Sequence, residues 1–218
     1  VAVADYMAAF RAQRALGRDV LHINISADMS ACYQNACIAA KEVGGVYVVD
    51  SRNLSTGTGL LVLMARELAR RGMGAKEIAQ ALCRAANRVE ASFVVDTLTY
   101  LYKGGRCSAV AALGANLLSL KPCIEVREGK MSVGKKYKGT LKRCLHDYIT
   151  DRLQGREDID THRIFVTYSK LDPALPIYAR EIIESLLHFD EICLTDAGGT
   201  ISGHCGPGTL GVLFLRKE

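Results

Sequence analysis

Three groups of residues in this sequence have types and spacings suited to chemistry. Ser26, Asp28 and Ser30 stand between an alternating run, Leu21-His22-Ile23-Asn24-Ile25, and a helical repeat of Cys32, Ala36, Ala39, Ala40 and Val43. A helix start leaves its first N–H groups without intrahelical partners and carries partial positive charge. Small hydroxyl residues placed there can cap the helix and can also hold an anion. The second group is His204 within Ile201–Phe214, ISGHCGPGTLGVLF, where glycines and a proline would let main-chain N–H groups approach a ligand and hold the imidazole in a constrained loop. The third is Lys103-Gly104-Gly105-Arg106, two cations around a tight turn; the forked guanidinium of Arg106 suits a carboxylate or phosphate.

Other chemistries are poorly served. Ser30, His204 and Asp50 can be written as a hydrolytic triad, but no serine lies in a GxSxG elbow. Cys205 adjoins His204, yet neighbours in sequence seldom face each other productively. Gly57-Thr58-Gly59 follows a strand pattern and opens a helix, but Val62 stands where a dinucleotide fingerprint has its third glycine. No GxxxxGK[ST] occurs, so the chain carries no ATP loop of that kind. The non-binding alternative is thus a stand-alone serine-type hydrolase or other small-molecule enzyme.

The elements that must position these groups follow from hydrophobic period. Tyr6, Ala9, Phe10 and Leu16 predict a helix closed by Gly17, and Leu21–Ile25 a strand. A second helix ends at Gly44-Gly45, Val46–Val49 is a short strand ending at Asp50, and helices follow over Leu60–Arg71 and Ala75–Val89. Repeated strand–helix units without a hairpin signal predict a parallel α/β domain over 1–91. From Ser92 the texture changes. Phe93–Val95 is a strand, Leu98–Tyr102 a helical turn, and a helix starts at Ser108. Cys123–Val126 and Met131–Val133 then flank Glu128-Gly129 as a hairpin. A helix over Thr140–Leu153, strands at Arg163–Tyr168, Glu191–Leu194 and Gly211–Leu215, and a helix from Asp172-Pro173 to His188 complete a mixed α/β domain over 92–218.

Composition narrows the class. Hydrophobic residues at 49% and charged residues at 23% are ordinary for a folded globular chain. No apolar run approaches the ~18 residues of a membrane span, which argues against stable insertion. The net charge of +5 is spread over pairs such as Arg70-Arg71 and Lys135-Lys136 without interleaved aromatics, which argues against nucleic acid. Eight cysteines show neither CxxC nor zinc-finger spacing and several fall on apolar faces, so they are expected as reduced thiols in a cytoplasmic protein without metal. The chain opens at Val1 within a helix that leads to a strand, which predicts an upstream segment.

Five stretches in order, HINISADMSACYQNA, VVDSRNLSTGTGLLVLMA, FVVDTLTYLYKGGRCS, ANLLSLKPCIEVREGKMSVGKKYKG and SGHCGPGTLGVLF, resemble the DegV family of bacterial proteins. The resemblance implies an α/β fold of two domains, a parallel α/β N-terminal domain incomplete at its start and a mixed-sheet C-terminal domain, with a fatty acid between them. It implies the binding subunit of a fatty acid kinase, which presents the carboxylate to a separate ATP-dependent kinase subunit so that acyl phosphate feeds phospholipid synthesis. The ligand is the fatty acid itself, with no cofactor.

Transferred to this sequence, the family pattern gives Ser30, Ser26 and His204 to the carboxylate. It gives Gly104, Gly105, Gly206 and Gly208 to the supporting loops, and Arg106 to phosphotransfer or kinase docking. Ala31-Cys32 stands where the family has glycine-threonine, and Ala27 where it has a second serine. The family's headgroup threonine would lie upstream of Val1.

Overall fold

The computed structural model describes residues 1–105 and 120–218. They form two compact units, one of 1–89 with Glu128–Lys130 and one of 90–127 with 131–218. Arg106, and the helix expected from Ser108, lie outside the described residues.

In the first unit, helix α1 (Val3–Arg14) leads to strand β1 (Val20–Asn24), helix α2 (Cys32–Val43), strand β2 (Val46–Asp50) and helices α3 (Ser55–Arg70) and α4 (Ala75–Ala85). β1 and β2 pair in parallel, with Val20 opposite Val46 and Asn24 opposite Asp50. Ser51 N–H donates to the Asn24 carbonyl just beyond the last pair, at 3.1 Å. Alternation along β1 sends Val20, His22 and Asn24 toward α1, where Tyr6, Phe10, Ala36 and Ala39 form a small core with Val20, Val46 and Val48. Leu21 and Ile23 point the opposite way, where α3 and α4 pack. Helices cover both faces of the pair, so the polar set of the alternation is not a solvent face. Asn24 is 5% exposed.

Two boundaries differ from expectation. α3 starts at Ser55 rather than Leu60, so Gly57 and Gly59 sit within its first turns. A Cβ at Gly57 would collide with the Asn53 carboxamide; that glycine is there for close packing on a buried asparagine, not to cradle a phosphate. α4 ends at Ala85, and after a 3-10 turn the chain enters strand β3 (Val89–Val94) instead of continuing as helix to Val89.

The second unit is a six-stranded mixed sheet in the order β5-β4-β3-β8-β6-β7. β4 (Leu120–Arg127) and β5 (Lys130–Lys138) form the expected hairpin, and Glu128 and Gly129 both take positive φ, 50° and 83°, as the favoured two-residue hairpin turn requires. β3 runs antiparallel to β4. β6 (Ile159–Ser169) runs antiparallel to β8 (Thr209–Arg216) and parallel to β7 (Glu191–Asp196).

Helices α6 (Leu141–Leu153) and α7 (Ala174–Leu186) bury Leu145, Tyr148, Ile149, Ile182 and Ile183 against Val94, Ile164, Val166, Val212 and Phe214. Thr140 caps α6 by accepting from Arg143 N–H at 3.3 Å, and Asp172 accepts from Ala174 N–H at 3.0 Å where α7 begins. On the opposite face, Phe93, Val95 and Ile124 meet Leu98 and Leu101 of α5 (Thr99–Gly104) and Cys205 of α8 (Gly199–Cys205).

α8 corrects the expectation of a continuous glycine loop around His204. Residues 199–205 wind into nearly two helical turns, and Gly206, at φ 79°, ends them.

Candidate functional site

In the first unit the chain leaves β1 and makes a tight polar turn before α2. Ser26 N–H donates to the Asn53 carbonyl at 2.9 Å, and the Ser26 carbonyl accepts from the N–H groups of Met29 and Ser30 at 3.0 and 3.2 Å. Asp50, at the end of β2, accepts from Ala27 N–H and Arg52 N–H at 3.2 and 2.8 Å. It thereby ties the two turns together.

Ser26 and Ser30 are placed differently. Ser26 is fully buried; its hydroxyl donates to the Gly129 carbonyl at 2.7 Å and accepts from Asp28 N–H at 3.2 Å. A Cβ on Gly129 would lie 2.8 Å from that hydroxyl, so only glycine fits here without movement. Lys130 reaches Asp28 at 3.5 Å. The proton of Ser26 is thus committed to protein.

Ser30 is only half-buried and lies at the mouth of α2, where its hydroxyl accepts from Cys32 N–H at 3.2 Å. The first turn of α2 contains no acidic residue, which leaves the positive end of the helix uncompensated from within. The Ser30 hydroxyl also holds the Cys32 thiol below its ordinary range, against partial burial that pushes it up, with the Tyr6 hydroxyl adding to the lowering.

Tyr6, Cys32 and Asn24 did not stand out in the sequence, where they read as apolar-face or alternating residues. The Tyr6 hydroxyl donates to the Asn24 carboxamide oxygen at 3.2 Å, and its ring stacks edge-on against His22 with centroids 5.2 Å apart. Burial depresses the His22 imidazole below its usual range, against a smaller upward pull from the Asn24 amide, so this ring is neutral at physiological pH. Asn24 Nδ2 and His22 Nε2 are buried without a hydrogen-bond partner.

The second unit builds its own constellation from α5, α8 and the turn after α8. The His204 imidazole occupies the space a side chain at Gly104 would fill. Gly105, left-handed at φ 63° and ψ 17°, terminates α5 and donates its N–H to the Tyr102 carbonyl at 3.1 Å. The Tyr100 ring covers Gly206 in the same manner, and the Asp96 side chain covers Gly208, whose φ is 76°. Asp96 is itself paired with Lys121. Three glycines, Gly104, Gly206 and Gly208, are thus used where ring or carboxylate meets backbone, and Gly104 is the one that seats His204. Cys205, next in the chain, faces the core; burial pushes its thiol up to about 11, which rules it out as a ready thiolate. Ser26 and Ser30 belong to the first unit, and Gly104, Gly105, His204, Gly206 and Gly208 to the second.

Among the described residues no cluster of His, Cys, Asp and Glu could hold a metal ion, and no helix is long and apolar enough to cross a membrane. Seven described cysteines are free thiols.

The family model for the uncharacterised DegV proteins matches residues 1–217. A DegV domain-containing protein of Clostridium acetobutylicum is 33% identical over 205 residues, which are 92% of this chain and 71% of that protein. A Thermus thermophilus DegV family protein, solved for its fatty acid binding, is 30% identical with a TM-score of 0.84, covering 99% of this chain and 77% of that one. A DegV lipid binding protein from Thermotoga maritima is 25% identical with a TM-score of 0.82, covering 100% and 76%. By the extent of the family match and the identity to the Clostridium protein, this chain belongs to the DegV family.

Proposed function

We propose that this chain binds a long-chain fatty acid and presents its carboxylate to a separate ATP-dependent kinase subunit, which converts it to an acyl phosphate for phospholipid synthesis. The observation that carries the reading is the half-buried Ser30 at the start of α2, beside a first turn free of acidic residues. Likeness to the Thermus and Thermotoga proteins supports the ligand class.

The energetics suit such a ligand. Each buried methylene contributes about 0.8 kcal/mol, so the tail supplies most of the affinity. The carboxylate needs only a hydroxyl and a helix N-terminus to remain charged out of bulk water. Ser30 is the primary headgroup residue in this reading. Ser26 acts through the shape of the turn, because its own proton serves the Gly129 carbonyl. His204 is assigned a second polar contact by the family's His-x-Gly-Pro-Gly pattern. Phosphoryl transfer depends on positioning and on stabilising charge at the transferring group. Arg106 is assigned to that rim role by the Gly-Gly-Arg pattern of the sequence.

Reconstitution tests the proposal. With ATP, a fatty acid and a DegV-partner kinase subunit, acyl phosphate trapped as the hydroxamate is expected only when this chain is present. Ser30→Ala is expected to lower the yield at least tenfold. Ester turnover by the chain alone, abolished by Ser30→Ala, would instead establish a hydrolase.

A further inference from the structure

Two buried polar atoms of the first unit lack a hydrogen-bond partner, His22 Nε2 and Asn24 Nδ2; the second lies at the end of the strand nearest α2. Asn24 is the last residue of β1, at the carboxyl end of a parallel strand pair, where the chain turns off toward α2. It is 5% exposed, and its carboxamide oxygen is taken by the Tyr6 hydroxyl at 3.2 Å. Its other end, Nδ2, carries two N–H donors and has no partner at all. Leaving a buried amide donor unmade costs as much as a hydrogen bond is worth, and native proteins keep few such groups. Hydrophobic neighbours would have been the cheaper choice at an inward position of β1, where Val20 sits on the same face.

The surroundings indicate what would complete it. Tyr6 ties Asn24 to α1, and within eight residues the chain reaches the start of α2, where Ser30 accepts from Cys32 N–H at 3.2 Å. That helix start carries positive potential, with no acidic residue in its first turn. Positive potential on one side and a donor-rich amide on the other call for an acceptor with several lone pairs and negative charge. In open α/β sheets such ligands bind beyond the carboxyl ends of the strands.

We infer that Asn24 is a headgroup-binding residue, its Nδ2 donating to the carboxylate of the bound fatty acid beside Ser30, with Tyr6 holding the amide in the donating orientation. This rests on the fatty acid reading above and adds to it a residue that sets the choice of a charged over an uncharged headgroup. Asn24 discriminates acid from alcohol, because an alcohol offers one weak acceptor where a carboxylate offers two oxygens and a full charge.

The test compares two probes on the whole chain, a fluorescent long-chain fatty acid (cis-parinaric acid) and the alcohol with the same tail. Wild type is expected to bind the acid more tightly. Asn24→Leu is expected to weaken the acid roughly tenfold or more and to leave the alcohol within about twofold, the size of one charge-assisted hydrogen bond. Asn24→Asp provides an independent reading, also should the leucine variant fail to fold. Its carboxylate repels the ligand at neutral pH, and acid binding is expected to return as pH falls and the aspartic acid becomes a donor.

Equal losses for acid and alcohol in either folded variant, no loss in either, or no recovery of Asn24→Asp at low pH would overturn the assignment. A wild-type chain that binds neither probe would overturn the fatty acid reading itself and Asn24's role with it.

Discussion

The His204 imidazole lies where a side chain at Gly104 would be, so the last turn of α8 is seated directly on the backbone of α5. The colliding atoms belong to a side chain that can rotate, and Gly104 has no left-handed φ. Gly104→Ala is therefore expected to displace the ring with little loss of stability, within about 1 kcal/mol, since alanine also gains helix propensity. The His204 ring resonances are expected to shift in NMR spectra, and retention of fatty acid to fall as in His204→Ala. An unchanged His204 resonance would show that the seat is looser than the geometry implies.

Tyr148 tests the frame behind that seat. Its fully buried hydroxyl donates to the Ser92 carbonyl at 2.7 Å, accepts from Val212 N–H at 3.0 Å and shares a 2.9 Å contact with Ser92 Oγ. It thereby joins β3, which leads to α5, with β8, which follows α8. Tyr148→Phe strands these groups in the core and is expected to cost roughly 2–4 kcal/mol in denaturant unfolding. A loss under 1 kcal/mol would mean the two strands pair equally well without it.

Acid stability should report on Glu90. Burial pushes its carboxyl up, but the Arg156 hydrogen bonds and the charges of Arg152, Arg156 and Arg216 outweigh that and hold it below the usual range. A depressed folded pKa stabilises the fold above the unfolded value, near 4.3, and the contribution disappears as pH falls through the folded value. The melting temperature is therefore expected to fall more steeply below about pH 4 in wild type than in Glu90→Gln. Parallel profiles would remove Glu90 as a cause.

The Ser26–Gly129 contact predicts a local effect. Gly129→Ala meets both a positive φ of 83° and the Ser26 hydroxyl, so it is expected to destabilise by roughly 1–3 kcal/mol. Ser26→Ala in that background is expected to relieve the clash without removing the φ penalty. The double-mutant cycle measures the coupling; additive effects would show that the two residues do not touch in solution.

Much of this was legible in the residues. Glu128-Gly129 announced its hairpin because few residues tolerate two successive positive φ values, and the run from β1 into α2 followed from a change of period. What failed did so for identifiable reasons. Ala86–Arg88 kept helical composition while the chain was already turning into β3, and Gly199 and Gly203 hid α8, since glycine weakens any helical pattern. Asn24 read as a polar position on an alternating strand; that helices would cover both faces and bury its amide depends on packing, which spacing along one strand does not encode. Ser26 and Ser30 looked alike in sequence; burial separates them, together with a turn 103 residues away that accepts the proton of Ser26.

The most direct test of the central claim is mass spectrometry of an organic extract of the chain purified from a bacterial host. The expected result is a long-chain fatty acid at close to one per chain, lost on Ser30→Ala together with His204→Ala. Repeatedly empty extracts from folded wild-type protein, with no uptake of added fatty acid, would contradict it.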